Sequence, residues 1–394
     1  MNPRILVLAL STFAFGSGAL IFSGLLEALA ADMGVTTAVA GQLQTAYVLA
    51  VAFAGPPLAF LAGRFERKTV LLAALAVAIG MNLVCMITRD FAHLLVFRAI
   101  VGATAALAGP AAASAASALA PVERRGSAMA VVSGGMTVAF LMGIPMGSVV
   151  GSVFGWRAAF ALAALLATVA FLGIAFLLPR VTPPPPSLGG RLTLAALPMF
   201  AATFLAFGAN MTITTYIAPV LRLQTGVVGA GVAAFQMMIG LGSLVGLALG
   251  GRSADRGWGQ RSVLLSFLGL ALAAGLHEME LRGGAPAGWP TYLVVSLTMF
   301  IGSTSLFVVI PVVQSRLITA APASAPLALA LNGSSTSMGQ ALGAVLGGAV
   351  LGSVGATGLP VAAAAIALPA ALIWWLATGP DAPRPPPGGL GLGA

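Results

Sequence analysis

Gly143-Ile144-Pro145-Met146-Gly147-Ser148-Val149-Val150-Gly151-Ser152-Val153-Phe154-Gly155-Trp156-Arg157 places glycines at 143, 147, 151 and 155. A spacing of four sets them on one helical face, where the missing side chains let a second backbone approach closely. Pro145 lies inside the run, where a proline removes a helical hydrogen bond and bends the helix unless its neighbours compensate. Water-soluble helices rarely combine these features, whereas helices packed in lipid use both. The spacing alone admits a dimerisation face or a contact within one chain, and the remaining residues tip the balance.

The 394 residues are 59% hydrophobic and 7% charged, with a mean hydropathy of +1.05. A soluble domain carries about 25% charged residues, so this chain cannot cover a water-facing surface and belongs to the membrane class. Cys85 is the single cysteine, which excludes an intramolecular disulfide and argues against a zinc or iron–sulfur site. No cofactor is expected. The net charge of +9 is spread in short clusters between apolar runs, a pattern of membrane topology rather than nucleic-acid binding. Arg4 followed by an apolar run and Ala28-Leu29-Ala30 resembles a signal peptide, but the run from Ile5 to Leu26 is long enough to be a first span.

Twelve candidate spans lie near 5–30, 41–62, 69–88, 92–119, 127–154, 158–178, 194–219, 228–250, 262–280, 290–313, 325–353 and 359–378. Residues 1–180 form a first six-helix half and 194–378 a second. A Pro/Gly linker at 181–193, containing Thr182-Pro183-Pro184-Pro185-Pro186-Ser187, joins them, and a Pro/Gly-rich tail at 379–394 is expected to be disordered. With both termini in the cytoplasm, 13 of the 18 basic residues fall on the inner side: Arg4, Arg64, Arg67, Lys68, Arg124, Arg125, Arg180, Arg191, Arg252, Arg256, Arg261, Arg316 and Arg384. The opposite orientation inverts this bias, so the termini are read as cytoplasmic. The halves also repeat. Ala62-Gly63-Arg64-Phe65-Glu66-Arg67-Lys68 follows the second span, and Ala254-Asp255-Arg256-Gly257-Trp258-Gly259-Gln260-Arg261 follows the eighth. Gly339, Gly343, Gly347 and Gly355 give the eleventh span a stripe like that of the fifth. Six spans, a linker and six related spans describe a parallel-repeat transporter with its site between the halves.

On these residues the chain resembles the major facilitator superfamily, in particular its twelve-span drug:proton antiporter branch, which includes sugar and nucleoside exporters. Ala40-Gly41-Gln42-Leu43-Gln44-Thr45-Ala46-Tyr47 through Gly55-Pro56-Pro57 looks like that branch's second span. Arg64, Arg67 and Lys68 match the basic part of the following loop, and Arg98 with Gly102 resembles the fourth-span arginine motif. The opening stretch matches the fifth-span antiporter motif, and Thr215-Tyr216-Ile217-Ala218-Pro219 looks like the seventh span. The resemblance implies an all-α membrane protein of two pseudo-symmetric six-helix halves in a bacterial inner membrane, functional as a monomer. It implies export of a small organic solute by alternating access in exchange for protons, with no nucleic-acid partner. Gly63 and Glu66 stand where the family's loop has an aspartate and a glycine, while Asp255 keeps the acid in the second half. Gly18-Ala19-Leu20-Ile21-Phe22 lacks the glutamate that relatives hold in the first span.

Ionisable groups at membrane depth are costly and usually functional. Arg98 is the clearest, read as a cavity arginine that binds an anionic group or modulates proton transfer, against snorkelling to the interface. Glu27 is a candidate for proton coupling because no better-placed carboxylate is visible. His277, Glu278 and Glu280 do not make a metal site and read as a solvated loop. Asn210, Thr214 and Tyr216, in the span that lines the cavity in the resembling family, are candidate solute-binding residues, with Gln44, Gln236 and Asn332 in spans 2, 8 and 11. Each also suits a bond to a neighbouring helix. Amides and hydroxyls beside abundant Phe and Met suit a neutral or amphipathic solute. Since span 5 abuts span 8 in the family fold, Gly143, Gly147, Gly151 and Gly155 are expected to pack on Gly242, Gly246 and Gly250 as a hinge that Pro145 bends. Arg64, Arg67, Asp255 and Arg256 are expected at the inner gate, with Asp255 meeting the start of span 5. A proton-independent facilitator or exchanger, and a non-transporting receptor or scaffold, are the competing readings.

Overall fold

A computed structural model describes residues 3–62, 64–121, 124–181, 194–283, 288–320 and 325–378. Gly63, most of the linker and the C-terminal tail lie outside the described residues. A chain this apolar has to satisfy its backbone polar groups internally, and among the described residues it does so by helices alone. Among the described residues, eleven segments are long and apolar enough to cross a membrane. Ala325–Ser353, a helix of 29 residues, lies where the eleventh of the twelve expected spans falls.

Spans 3, 4, 6, 9, 10 and 12 are single helices: Arg67–Ile87, Phe91–Leu119, Trp156–Leu177, Gly259–Gly283, Trp289–Ala320 and Gly358–Ala377. Spans 1, 5 and 7 are interrupted. Span 1 runs from Pro3 to Leu20, turns at Ile21 and Phe22, and resumes as Leu26–Met33 after a tight turn at Ser23–Leu25. Span 5 comprises Arg125–Val138, one wide π-type turn at Ala139–Gly143, and Ile144–Phe154. Pro145 explains that turn. It has no N–H to offer the Leu141 carbonyl, so the helix widens just before it. Span 7 stops at Thr214 and restarts at Ile217. Pro219 withholds the bond that Thr215 would receive, which opens the helix there. Span 2 comprises Thr37–Ala40 and Gln42–Ala62, and span 8 covers Gly229–Asp255.

The glycine stripes do not pack on each other, which corrects the expected contact between spans 5 and 8. A Cβ on Gly147 would strike the carbonyl of Ile21, and one on Gly143 or Gly151 would strike Ser17 or Leu25, all in span 1. Gly242, Gly246 and Gly250 face the carbonyls of Phe300, Thr304 and Val308 in span 10. Gly339, Gly343 and Gly347 face those of Phe204, Gly208 and Thr212 in span 7. A face without side chains holds one backbone, and each stripe is already filled by a neighbour from its own group of six. Spans 5 and 8 do touch, but through Gly240, over which Leu141 lies. Gly155 and Gly355 leave the stripes altogether. They turn the chain into spans 6 and 12 at φ of 87° and 89°, a region that glycine enters without strain.

The end bearing Arg64, Arg67, Arg252 and Arg256 is called the basic end, and the other the far end. Towards the basic end, Leu8, Leu71, Ala112 and Ile174 belong to one core and Phe267, Val313, Ala367 and Trp374 to another. Towards the far end one core takes residues from both groups, including Phe22, Leu26 and Phe160 with Tyr216, Val220 and Leu359. The two groups of six spans are thus fused at the far end and largely separate at the basic end.

Candidate functional site

Where the groups meet, Gln236 of span 8 is the central polar contact. Its Oε1 accepts from the Ser148 hydroxyl at 2.7 Å, and its Nε2 donates to the Ser23 hydroxyl at 3.1 Å. It therefore ties span 8 to spans 5 and 1, bridging the groups at the edge of the space between them. Gly24 keeps the bridge short, because a Cβ there would overlap Ser148 and stand 3.2 Å from Gln236 Nε2.

Tyr216 is also spent on closure. Its ring is fully buried against Gly41, Gly347 and Gly348. The hydroxyl donates to the Ala344 carbonyl at 2.9 Å and reaches that of Ala38 at 3.4 Å. Glu27, a candidate for proton coupling, pairs with Arg222 at 3.3 Å, so spans 1 and 7 also meet through charge at the far rim. A second rim pair, Asp32 with Arg157 at 2.5 Å, stays within the first group, and Trp156 Nε1 joins it at 3.2 Å.

Arg98 is fully buried, which corrects the picture of a cavity arginine. Its terminal nitrogens donate to the carbonyls of Gly18 and Ala19 at 2.9 and 2.8 Å. Those carbonyls end the first helix of span 1, and the break beyond leaves them without helical partners. A guanidinium at this negative helix end is favourable, and the Phe22 and Tyr47 rings, 4.9 and 4.6 Å from its carbon, enclose it. Arg98 holds the span 1 break rather than presenting its charge to a solute.

Asn210 and Thr214 do border open space. With Thr298, Ser303 and His277 they line a narrow cavity among spans 7 to 10 and 12. The Thr214 hydroxyl donates to Asn210 Oδ1 at 3.0 Å. A second, smaller space lies between the groups, bounded by Leu20, Ser23, Phe140 and Ile144 on one side and Thr214, Ile217, Gln236 and Ile239 on the other. Thr214 lines both. Asn332 is engaged elsewhere, accepting from the Thr203 hydroxyl at 2.9 Å. Gln44 is buried with its Oε1 unpartnered among the described residues.

His277 was missed by sequence reading. It is not in a solvated loop but 4% exposed inside span 9. The neighbouring acids drew the eye to the helix end, whereas the position of Gln224 beside it depends on the span 7 break. Glu278 pairs with Arg282 one turn on. At the basic end, Arg67 Nε donates to Ser114 at 3.2 Å and Lys68 Nζ to the Ala175 carbonyl at 2.8 Å, so both fasten span 3 to its neighbours. Arg64 is exposed, Asp255 ends span 8 with an exposed side chain, and Arg256 lies 5.5 Å from the Trp258 ring.

Paired helical groups, interrupted spans and a mostly apolar crevice bearing Ser23, Thr214 and Gln236 between them suit a membrane transporter. The chain belongs to the Major Facilitator Superfamily, whose sequence model matches residues 8–322. It is 30% identical over 375 residues to the inner membrane transport protein YdhP of Escherichia coli K12, covering 92% of each chain. It is 29% identical over 322 residues to a chloramphenicol resistance protein of Streptomyces lividans, covering 77% of this chain and 80% of the relative. A bacterial homologue of the human lysosomal transporter Spinster, solved inward-facing and occupied, shares the fold with a TM-score of 0.75 at 17% identity, over 96% of this chain and 97% of that one.

Proposed function

We propose that this protein is a secondary transporter that exports a small, neutral or amphipathic organic solute by alternating access, in exchange for protons. The observation that carries the reading is the distribution of cores: one shared at the far end, and two towards the basic end that each draw almost wholly on one group. Two bodies so joined can rock about the crevice between them, parting at one end as they close at the other, and the cores support a domain division at residues 1–180 and 194–378. The charge bias puts the basic end and both termini in the cytoplasm of a bacterial inner membrane, so the conformation described is closed to the outside. Asp255, Arg64 and Arg256 then sit where an inner gate would form when the groups close there.

The solute class rests on the crevice, which offers hydroxyls and an amide among Leu, Ile and Phe. The relative named for chloramphenicol resistance supplies a concrete probe of that chemistry. Inside-out proteoliposomes with an acidic lumen are expected to accumulate radiolabelled chloramphenicol above protein-free vesicles, and to stop when the gradient is collapsed. Equal accumulation without a gradient would favour a second reading, proton-independent exchange, which draws support from the acid-free stretch Gly18–Phe22. No accumulation under either condition would remove this solute class.

A further inference from the structure

A proton exchanger needs a group that titrates near neutral pH, shielded from water yet reachable from the solute path. Arg98 is held by carbonyls, and Glu27 lies at the rim in an ion pair. Histidine is the one side chain whose ordinary range falls between about pH 5 and 8. The chain has two, of which His93 is exposed beside Asp90 and His277 is buried.

Gln224 faces His277 in an unusual way. Its Nε2 lies 3.0 Å from Nδ1 and donates to the His277 carbonyl at 2.9 Å, while its Oε1 lies 3.2 Å from Nδ1. One amide thus offers the ring both a donor and an acceptor. With Nδ1 bare, Nε2 donates to it; with Nδ1 protonated, Oε1 accepts from it. Both protonation states of Nδ1 find a partner without movement of either helix. The charges around this pair are few. Span 9 itself brings Glu278, Glu280 and Arg282, span 7 brings Arg222, and span 10 brings only Tyr292 at this end. The far-end halves of spans 8 and 12 carry no ionisable residue.

The ring also borders the cavity that holds Asn210 and Thr214, and Thr214 opens onto the crevice between the groups. On the other side, Gln224 shares the short helix Ile217–Thr225 with Arg222, the partner of Glu27. We propose that His277 is the group that binds the exchanged proton, reached through Thr214, and that Gln224 relays its charge state to the far-end closure through Ile217–Thr225. The step is simple. A proton from the outer solution joins Nδ1, and Nδ1 releases it to the inner solution when solute takes the crevice.

This rests on the proton-exchange reading above, and the test separates the two. His277→Gln keeps a polar side chain of similar reach. In proteoliposomes it is expected to lower gradient-driven chloramphenicol accumulation about tenfold while leaving chloramphenicol counterflow, which moves no net proton, within about twofold of wild type. Unchanged gradient-driven accumulation in His277→Gln overturns the assignment of His277. A wild type indifferent to the gradient overturns the proton-exchange reading instead. If His277→Gln loses counterflow as well, Gln224→Leu decides: it is expected to move the pH of half-maximal accumulation by about one unit, and an unmoved profile overturns the proposal. In a His93→Gln background the 15N signals of the remaining histidine should titrate, with a midpoint that shifts when chloramphenicol is added. A midpoint that ignores the probe overturns the coupling.

Discussion

Arg98 shows how a full charge is tolerated inside a span: it bonds to two carbonyls that the helix break has stranded. The family motif and scarcity of charge marked it in the sequence, but the break that employs it was illegible, because no proline announces it in Gly18–Phe22. Arg98→Lys keeps the charge but loses the two-pronged donor, and is expected to lower stability in detergent by about 1–3 kcal/mol. Arg98→Leu strands both carbonyls and should cost more, as thermal unfolding would register. The glycines make a parallel contrast. Gly147→Ala drives a methyl into the Ile21 carbonyl and should destabilise by about 1–3 kcal/mol. Gly134→Ala meets nothing within 4 Å and should be neutral or mildly stabilising. Spacing announced a close approach in all three stripes. It was silent on the partner, because a stripe records how near a backbone comes and not which one.

The interrupted spans divide in the same manner. Pro145 and Pro219 are visible in the sequence, and each break lies where the missing N–H puts it. The reading of Pro145 as a hinge between groups changes, since span 5 packs on span 1 along its stripe. Span 11, its repeat counterpart, is one unbroken helix and has no proline at the matching place. Pro219→Ala would let span 7 run on through Thr215. It is expected to raise thermal stability, since proline inside a helix costs about 3 kcal/mol, and to slow solute counterflow. A faster counterflow would show that the break does not serve the transport cycle. Healing it would also carry Gln224 away from His277, so the same variant should disturb the histidine titration.

Taken together, the helices were the most legible part. Apolar runs located the eleven helices long and apolar enough to cross a membrane, together with the long helix Ala325–Ser353, and the duplicated loop after spans 2 and 8 pointed to two related groups. How those groups meet was not legible. Ser23, Ser148 and Gln236 are far apart in sequence and share no motif, and Tyr216 read equally well as a solute contact. Alternating access makes a direct prediction at this joint. Ala38 and Gly352 belong to different groups, and a Cβ on Gly352 would stand 3.7 Å from that of Ala38, within the range of a disulfide. The pair Ala38→Cys and Gly352→Cys should oxidise readily, stop counterflow, and recover it on reduction. Cys85 is buried and should not interfere. Counterflow that persists in the oxidised protein would show that the far end need not part.

The core shared at that end has a thermal consequence. Closure there is driven by apolar burial, whose strength fades on cooling. Closure at the basic end, where Asp255 and the arginines gather, would draw on charge and hydrogen bonds instead. The two ends therefore respond unequally to temperature. If the groups alternate as proposed, cooling is expected to shift the resting population towards the conformation with its far end parted, and warming to shift it back, as accessibility of a far-end cysteine to a thiol reagent at several temperatures would register.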